Sequence, residues 1–389
     1  TLEGRDGQIE SVRDAWVKML EDLGLQYDFV SYKQIEDGKL DGGQYKLLIL
    51  PVSLAISEQE AEAIRRFVQG GGTVLADMNC GRRDGHCKPV QPGMLDELFG
   101  IARGDAGQAP ASSIIAQADL GADLPAGTEV RVTLPEAGLR ATATKPLALS
   151  ADDVRAPALM VNDVGRGQAM YMNLDLSQFD TERKFRSPTE RQLRAAVLAL
   201  LAQAGIEPIY EVSYESGKAP HVEVVRYALG DVTILGLMRV RSDGDDEVAT
   251  IKLPRPVHVY SMRQQKYLGE TDTITAPMAS GQAFLYCLSP TQLGGPSVKV
   301  AGDARRGQVV SYQVGIEGGP DAPQVVHVTV ENPEGNAVAD YAQNLVVRGG
   351  QAAGDIPLAL DDAPGTWTVR AESILSGRAA RATFEVAGG

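Results

Sequence analysis

The sequence predicts an α/β domain with a doubly wound sheet, followed by a small antiparallel β domain and an immunoglobulin-like β-sandwich. Three observations support this fold class. A strand–helix–strand pattern runs from Tyr45 to Asp77, the apolar residues change from helical to alternating spacing near Tyr210, and a second all-β stretch follows residue 296. We expect domains at 1–208, 209–292 and 297–389.

The strand–helix–strand segment is the clearest part of the pattern. Lys46–Leu50 is a short apolar run, which is typical of a strand buried on both faces. Ser57 and Glu60 have the spacing of a capping box and predict the start of a helix. The glycines at 70–72 end that helix, and Thr73–Ala76 follows as a second buried strand. A connection this short between two such strands predicts a parallel, right-handed pair.

The region before this segment predicts one more helix and one more strand. Gln8–Leu23 carries an apolar stripe at helical spacing, and Tyr27–Ser31 has the composition of a strand. Doubly wound sheets usually begin with a strand before the first helix. Because no strand pattern precedes Gln8, we expect that a segment upstream of Thr1 is missing.

The second half of the α/β domain is less regular. Residues 101–150 are rich in Ala, Gly and Thr and are predicted to form a β insertion. Two apolar runs, Ala158–Val161 and Gln168–Met172, flank the sequence NDVGRG and predict a hairpin. A Ser-Pro pair at 187–188 predicts the start of a helix that runs to about Ala204 and closes the domain.

From Tyr210 onward the pattern is that of β-strands. Short strands at even spacing between about 210 and 290 predict a small antiparallel sandwich, with separate strands at Val248–Leu253 and Val257–Ser261. The sequence GGP at 294–296 is predicted to be a linker. The strands that follow are separated by turns such as NPEGN and DDAPGTW, which predicts an immunoglobulin-like sandwich. Such a domain favours an extracytoplasmic location.

Composition argues against several classes of partner. The 389 residues have a formal net charge of −14, whereas nucleic acids and anionic membranes require clustered Lys and Arg, so neither is expected to bind. No apolar run reaches about 18 residues, so no membrane-spanning helix is expected. Cys80, Cys87 and Cys287 are too few for a disulfide framework and are predicted to be free thiols. A disulfide between Cys80 and Cys87 is the alternative in an exported protein.

The loop Asp77–Cys87 is the first candidate site, because ligands of open α/β sheets bind at the carboxyl ends of strands. Cys80 and His86 could form the thiol–imidazole pair of a cysteine-dependent enzyme. The two cysteines and His86 supply only three soft ligands, short of a closed zinc site. We expect a structural loop and predict no catalytic, metal-binding or cofactor-binding residue, with Cys80 and His86 as the catalytic alternative.

Other polar residues are predicted to be structural. Asp175 and Asp180–Glu182 are expected to be solvated loop charges, because no carboxylate pair is singled out for glycoside hydrolysis. His221, His258 and His327 lie in or beside predicted strands. The sequence contains no P-loop, dinucleotide-binding fingerprint, nucleophile elbow or zinc-protease motif, so no cofactor is expected.

The sequence also resembles a known family. The segment YKLLILPVSLAISEQEAEAIRRFVQGGGTVLADM is similar to the trimerisation domain of family 42 β-galactosidases, and the similarity continues in PGMLDELFGI, PALMVNDVGRGQAMYMN and the helix 188–204. HVEVVRYALGDVTILGLMRVR resembles the start of the small β domain that ends those enzymes. The resemblance implies a flavodoxin-like, class I glutamine-amidotransferase-like sheet and self-association through the α/β domain, for example as a trimer.

Two departures from related proteins bear on catalysis. Family 42 enzymes carry their catalytic glutamates on a barrel upstream of this domain, and no barrel is present here, so no catalytic residue can be carried over. Amidotransferases have a G-x-C-x-G elbow where this chain has A-D-M-N-C, which places Met78 at about the nucleophile position. The resemblance therefore implies the non-catalytic C-terminal portion of a glycoside-hydrolase-like protein with an upstream catalytic barrel.

A carbohydrate-binding module in the β region is a further hypothesis. Its aromatic candidates are Tyr260, Tyr267, Tyr286 and Trp367. Trp367 follows a turn, as a core tryptophan would.

Overall fold

The computed structural model describes residues 6–104, 110–144, 146–217, 221–239 and 246–388. The chain divides into two compact units, 1–209 and 210–389. The first is mixed α/β and the second consists mostly of β-strands. Within the described ranges, no helix is long and apolar enough to cross a membrane.

The first unit is built around one central sheet. The helices are α1 (Asp6–Asp22), α2 (Tyr32–Glu36), α3 (Glu58–Gln69), α4 (Asp96–Phe99), α5 (Phe179–Lys184) and α6 (Pro188–Gln203). The strands are β1 (Leu47–Leu50), β2 (Thr73–Ala76), β3 (Ile101–Arg103), β4 (Ala111–Ala116), β5 (Glu129–Leu134), β6 (Leu139–Ala141), β7 (Ala148–Ser150), β8 (Pro157–Val164) and β9 (Gly167–Met172).

The central sheet has seven strands in the order β1-β2-β9-β8-β7-β4-β5. β1, β2 and β9 are parallel, as predicted for the strand–helix–strand segment. The remaining pairs are antiparallel. Because β4, β5 and β7 continue this sheet, much of the region 101–150 extends the domain core and is not a separate insertion. Among the described strands of this region, β3 and β6 alone form a ribbon of their own.

Helices cover both faces of the central sheet. The predicted capping box is present: Ser57 N donates to Glu60 Oε2 at 2.8 Å, and Glu60 N donates to Ser57 Oγ at 3.1 Å. The apolar side chains of α1 and α6 pack with Leu75 on one face. Those of α3 and α4 pack with Val74 on the other, because successive side chains of a strand point to opposite faces.

The strand predicted at Tyr27–Ser31 is not formed. The segment has no regular secondary structure until Ser31, which caps α2 through Gln34. Its residue Phe29 is 72% exposed. A strand requires a paired neighbour, and none of the described strands pairs with this segment.

The second unit begins with one six-stranded antiparallel sheet of order β10-β13-β15-β12-β11, with β14 paired to β13. Its strands are β10 (Glu211–Tyr214), β11 (Val222–Leu229), β12 (Val232–Arg239), β13 (Glu247–Ser261), β14 (Lys266–Met278) and β15 (Ala283–Ser289). The predicted separate strands at 248–253 and 257–261 are one strand, β13. Its proline-containing middle is a register shift against β14, not a strand end.

Two further sheets follow. The strands are β16 (Gly295–Val300), β17 (Ala304–Arg305), β18 (Val309–Glu317), β19 (Gln324–Glu331), β20 (Gln343–Val347), β21 (Gln351–Pro357), β22 (Gly365–Ser373) and β23 (Ala379–Ala387). They form sheets of order β16-β18-β21 and β17-β23-β22-β19-β20, which share a core around the buried Trp367. The linker predicted at 294–296 is wrong, because Gly295 and Pro296 begin β16. Pro296 is tolerated there because β16 is an edge strand.

Candidate functional site

Asp77 lies at the carboxyl end of β2 and is fully buried. Trp16 Nε1 donates a hydrogen bond to Asp77 Oδ2 at 2.8 Å, and Val52 N donates to Oδ1 at 2.5 Å. Burial raises the pKa of Asp77 to about 7, against the effect of these two hydrogen bonds and with a further contribution from Asp175. Asp77 therefore ties α1 and the loop after β1 to the end of β2.

A second buried carboxylate, Glu136, lies in the loop after β5. It accepts hydrogen bonds from Asn79 N at 2.8 Å, from Arg103 Nε at 2.7 Å and from the Tyr171 hydroxyl. The Asn173 side chain fixes the backbone of Glu136: Glu136 N donates to Asn173 Oδ1 at 3.1 Å, and Asn173 Nδ2 donates to Glu136 O at 3.0 Å. Both carboxylate oxygens of Glu136 are therefore occupied by groups of the protein itself.

Arg103, on β3, completes this group. Its guanidinium pairs with Asp96 and Glu136 and donates to Tyr171 Oη at 3.0 Å and to Cys80 O at 2.9 Å. Burial and then the Glu136 carboxylate raise the pKa of Tyr171 well above its ordinary value, so the phenol stays protonated. We refer to Asp96, Arg103, Glu136 and Tyr171 as the carboxyl-edge network.

The Cys80 thiol lies in the core beside this network. It is buried, and burial raises its pKa although Arg103 acts in the opposite direction. A cysteine nucleophile needs the reverse, a lowered pKa and a neighbouring base. His86 is exposed on a turn in which its backbone N donates to Asp84 Oδ1 at 2.9 Å. Among the described hydrogen bonds, none joins Cys80 to His86.

Comparison with known protein families agrees with the resemblance seen in the sequence. Residues 3–193 match the family described as the β-galactosidase trimerisation domain. Residues 3–193 belong to this family, and we call this part of the chain the trimerisation domain after it. The match lies within the first compact unit. None of the curated proteins matches the chain.

Solved structures similar to the chain include two enzymes of the GH42 family. Gan42B, described as a GH42 beta-galactosidase, has a TM-score of 0.48 and 18% identity, over 70% of this chain and 35% of that chain. The apo exo-carrageenase GH42 from Bacteroides ovatus has a TM-score of 0.34 and 11% identity, over 71% of this chain and 26% of that chain. The chain thus spans about a third of the length of the first and about a quarter of the second.

In amidotransferases, the nucleophile of the G-x-C-x-G elbow lies just after the strand that corresponds to β2. Met78 occupies about this position in the trimerisation domain. This side chain is buried in the core formed by α1 and α6. It offers no nucleophilic or acid–base group. The neighbouring polar side chains are engaged with one another in the carboxyl-edge network, so the residues at this edge support the sheet. That neither Cys80 nor His86 is catalytic remains a prediction.

The cysteines provide a direct chemical check. All three are free thiols, with Cys80 and Cys287 buried and Cys87 exposed. We expect one thiol to react quickly with Ellman's reagent in the folded protein and three in urea, because the buried thiols are neither accessible nor ionised. Cys87→Ser should remove the fast reaction. Fast modification of Cys80 in that variant would contradict this expectation and would favour the cysteine-dependent alternative.

The raised pKa of Asp77 predicts that the free energy of unfolding of the trimerisation domain falls as pH rises towards neutrality. An unfolded aspartate titrates near pH 4, whereas the folded pKa is about 7, so the folded state retains the proton between these values. The stabilisation is complete below about pH 4 and is lost as pH rises to about 7, at about 1.4 kcal/mol per pH unit. The measurement is the urea unfolding free energy of the wild type minus that of Asp77→Asn, between pH 5 and 8.

The control for this titration is Asp41→Asn, at an aspartate whose side chain is largely exposed. A wild-type minus Asp77→Asn difference that changes with pH no more than the wild-type minus Asp41→Asn difference would contradict the prediction.

The acidic residues predicted to be solvated loop charges have defined partners. Asp175 accepts a hydrogen bond from Gln8 Nε2 at 2.9 Å, and Asp180 pairs with Lys18 at 2.7 Å. Asp180 belongs to α5 and not to a loop. Both carboxylates therefore anchor α1, which the sequence could not show because their partners are more than 150 positions away.

The histidines and aromatic residues of the second unit can be placed as well. His258 Nδ1 lies 2.7 Å from Tyr267 Oη, and His327 Nδ1 lies 2.8 Å from Asn344 Oδ1. His221 directly precedes β11. Three of the four aromatic residues considered for carbohydrate binding are buried, namely Tyr260, Tyr286 and Trp367. Tyr267 alone of the four is substantially exposed, so they do not form a sugar-stacking surface.

Sequence reasoning missed the residues of the carboxyl-edge network. One signal was present for a residue that supports the network: Asn173, which holds the backbone of Glu136, follows the strand β9, so the rule that sites lie at strand ends would have selected it. Arg103 and Glu136 come from the region that was interpreted as an insertion, and nothing in their local sequence distinguishes them from surface charges.

Proposed function

We propose that this chain is the non-catalytic C-terminal portion of a β-galactosidase-like glycoside hydrolase, in which the trimerisation domain assembles copies of the protein. The family match over residues 3–193 carries this proposal. The catalytic glutamates would then lie on a barrel upstream of this domain in the parent polypeptide, and the trimerisation domain would position that barrel against its neighbours.

The architecture supports three domains with different roles. Residues 1–208 would be the assembly domain, with a flavodoxin-like and amidotransferase-like sheet that has lost its nucleophile. Residues 209–292 would be the small β domain that follows it in family 42 enzymes. Residues 297–389, with two sheets around Trp367, would be an immunoglobulin-like sandwich that extends the assembly.

The carboxyl edge supports the non-catalytic assignment. A hydrolytic or amidotransferase site needs a reactive group that can reach a substrate. Here the buried ionisable groups satisfy one another, and Met78 follows Asp77 where an elbow nucleophile would be needed. We expect no hydrolysis of a nitrophenyl β-galactoside by this chain above the buffer rate.

The decisive experiment is the mass of the particle in solution by size-exclusion chromatography with light scattering. We expect about three times the chain mass of 41.4 kDa. A mass of one chain at every concentration would overturn the assembly role, and a stable dimer would overturn the trimer.

A pair of variants tests whether the contact lies in the trimerisation domain. Phe185 is 80% exposed in the first unit and Leu360 is 81% exposed in the second. Large exposed apolar side chains are frequent at interfaces. We expect Phe185→Ser to shift the trimer toward monomer at low concentration, whereas Leu360→Ser should leave the mass unchanged. The reverse result would place self-association in the β region.

A further inference from the structure

The loop between β2 and α4, residues 77–95, is long and is tied to its neighbours along its length. The structure describes this whole loop, which contains no regular helix or strand. Gly81 N donates to Ser53 O at 2.8 Å, and Arg83 N donates to Leu54 O at 2.9 Å, so the loop is joined to the loop after β1. Loops of this length in compact domains usually carry a function, so its exposed part is a candidate for binding.

The carboxyl-edge network holds the base of this loop. Glu136 accepts a hydrogen bond from Asn79 N at 2.8 Å, and Arg103 Nη2 donates to Cys80 O at 2.9 Å. Buried ion pairs carry a desolvation cost that apolar packing avoids, so they contribute little to stability for the charges they use. What these buried charges achieve is a fixed path for the backbone where the loop leaves the sheet.

The tip of the loop, residues 82–88, is closed from within and basic on the outside. Asp84 Oδ1 accepts hydrogen bonds from His86 N and from Lys88 N, both at 2.9 Å. Both of these residues are exposed. Asp84 is the one acid of the tip, against three permanent cations, namely Arg82, Arg83 and Lys88. We call residues 82–88 the basic tip.

The basic tip contrasts with the rest of the chain, which has a formal net charge of −14 overall. Several exposed cations of the first unit have an acidic partner of their own, such as Lys33 with Asp37 at 2.6 Å. Two copies with this net charge repel each other, and contact is favoured where a basic surface of one meets an acidic surface of the other. A threefold ring brings two different surfaces together at each contact, which permits such a pairing.

We propose that the basic tip docks on an acidic surface of a second copy of this chain. Lys88 and Arg82 would form ion pairs across the contact, and Arg82 lies 3.9 Å from Glu136, which connects the tip to the carboxyl-edge network. The network would present the tip in a fixed position and so reduce the entropy lost on association. This inference rests on the assembly role proposed above and adds the surface that carries the charged contact.

The test compares Lys88→Glu with Lys299→Glu, at a lysine that is exposed on β16 in the second unit. Both substitutions make the net charge more negative by the same amount, so general repulsion between copies is matched. Light scattering over a concentration series gives the concentration at which half of the protein is trimeric. We expect this concentration to be at least about tenfold higher for Lys88→Glu in roughly 50 mM NaCl. The ratio should approach one in roughly 500 mM NaCl, because salt screens charges at the surface.

A second measurement identifies the partner surface. A carbodiimide joins an amine directly to a carboxylate that it contacts, and a mixture of wild-type copies labelled with nitrogen-14 and nitrogen-15 distinguishes links between copies from links within one. We expect mixed-isotope peptides in which Lys88 is joined to an acidic residue of the other copy. Links from Lys88 to carboxylates of its own copy alone would overturn the inference.

The two proposals fail in different ways. Equal half-trimer concentrations for Lys88→Glu and Lys299→Glu at low salt would overturn docking by the basic tip and leave the assembly role standing. A wild-type particle with the mass of one chain at every concentration would overturn both.

Discussion

The substitution Arg103→Met is expected to lower the free energy of unfolding of the trimerisation domain by about 3–5 kcal/mol. Methionine retains much of the apolar contact of arginine but removes the guanidinium. The carboxylate of Asp96 would then be buried without its counter-charge, and that of Glu136 would keep only the partly exposed Arg82 at 3.9 Å; both acidic side chains are 4% exposed. Tyr171 would also lose the donor at 3.0 Å from its hydroxyl.

This loss can be measured in the first unit alone. The chain has two tryptophans, Trp16 in the first unit and Trp367 in the second. In a Trp367→Phe background, the fluorescence of Trp16 during urea unfolding reports on the trimerisation domain. Lys33→Met is the control, because it breaks an ion pair with Asp37 that is mostly in solvent, and it should have no measurable effect. Equal midpoints for the two variants would contradict the expectation.

The substitution Gly167→Ala is expected to destabilise the same unit by about 3 kcal/mol. Gly167 begins β9, where a Cβ atom would lie 2.1 Å from Gly72 O and 2.3 Å from Val68 O. Both contacts are with backbone atoms, one in the last turn of α3 and one in the turn that leads into β2, and neither can turn aside as a flexible side chain can. The methyl group therefore has to separate α3 from the parallel strands.

The matched control for this substitution is Gly42→Ala. Nothing lies within 4 Å of a Cβ built at Gly42, and its backbone is outside the left-handed region. Thermal unfolding followed by circular dichroism should show a lower midpoint for Gly167→Ala only. A midpoint within one degree or so of the control would show that α3 can move, and it would contradict the expectation.

Local signals in the sequence predicted local structure well. Ser57 and Glu60 are three positions apart, so their reciprocal hydrogen bonds follow from the sequence alone. The same holds for Ser187, which accepts from Glu190 N as a helix cap. Apolar runs in the sequence also identified β2 and β9, because a buried strand must be apolar whichever strands it pairs with.

Pairing between distant segments could not be predicted in this way. The composition of Tyr27–Ser31 is that of a strand, but no described strand pairs with it. Gly295 and Pro296 have the composition of a linker but are held by a ladder with β18. Whether a segment becomes a strand depends on an available neighbour, which residue composition does not reveal.

The candidate site shows the same difference between local signals and contacts between distant residues. The sequence singled out the loop at the end of β2, because ligands of open α/β sheets bind at the carboxyl ends of strands. It could not show which polar groups meet there, because Glu136 and Tyr171 are 35 positions apart and Arg103 and Tyr171 are 68 apart. Cys80 and His86, six positions apart in sequence, are separated by burial: the first faces the core and the second faces solvent.

The strand order of the central sheet also determines when the trimerisation domain can fold during its synthesis. β2 pairs with β9, and the aligned residues Thr73 and Gln168 are separated by 95 positions. A ribosome adds about 5–20 residues per second, so β2 remains unpaired on that side for roughly 5–20 seconds after it is made. During this interval its apolar residues are available to neighbouring nascent chains. We therefore expect the yield of soluble protein to depend on keeping nascent chains apart until β9 has emerged from the ribosome.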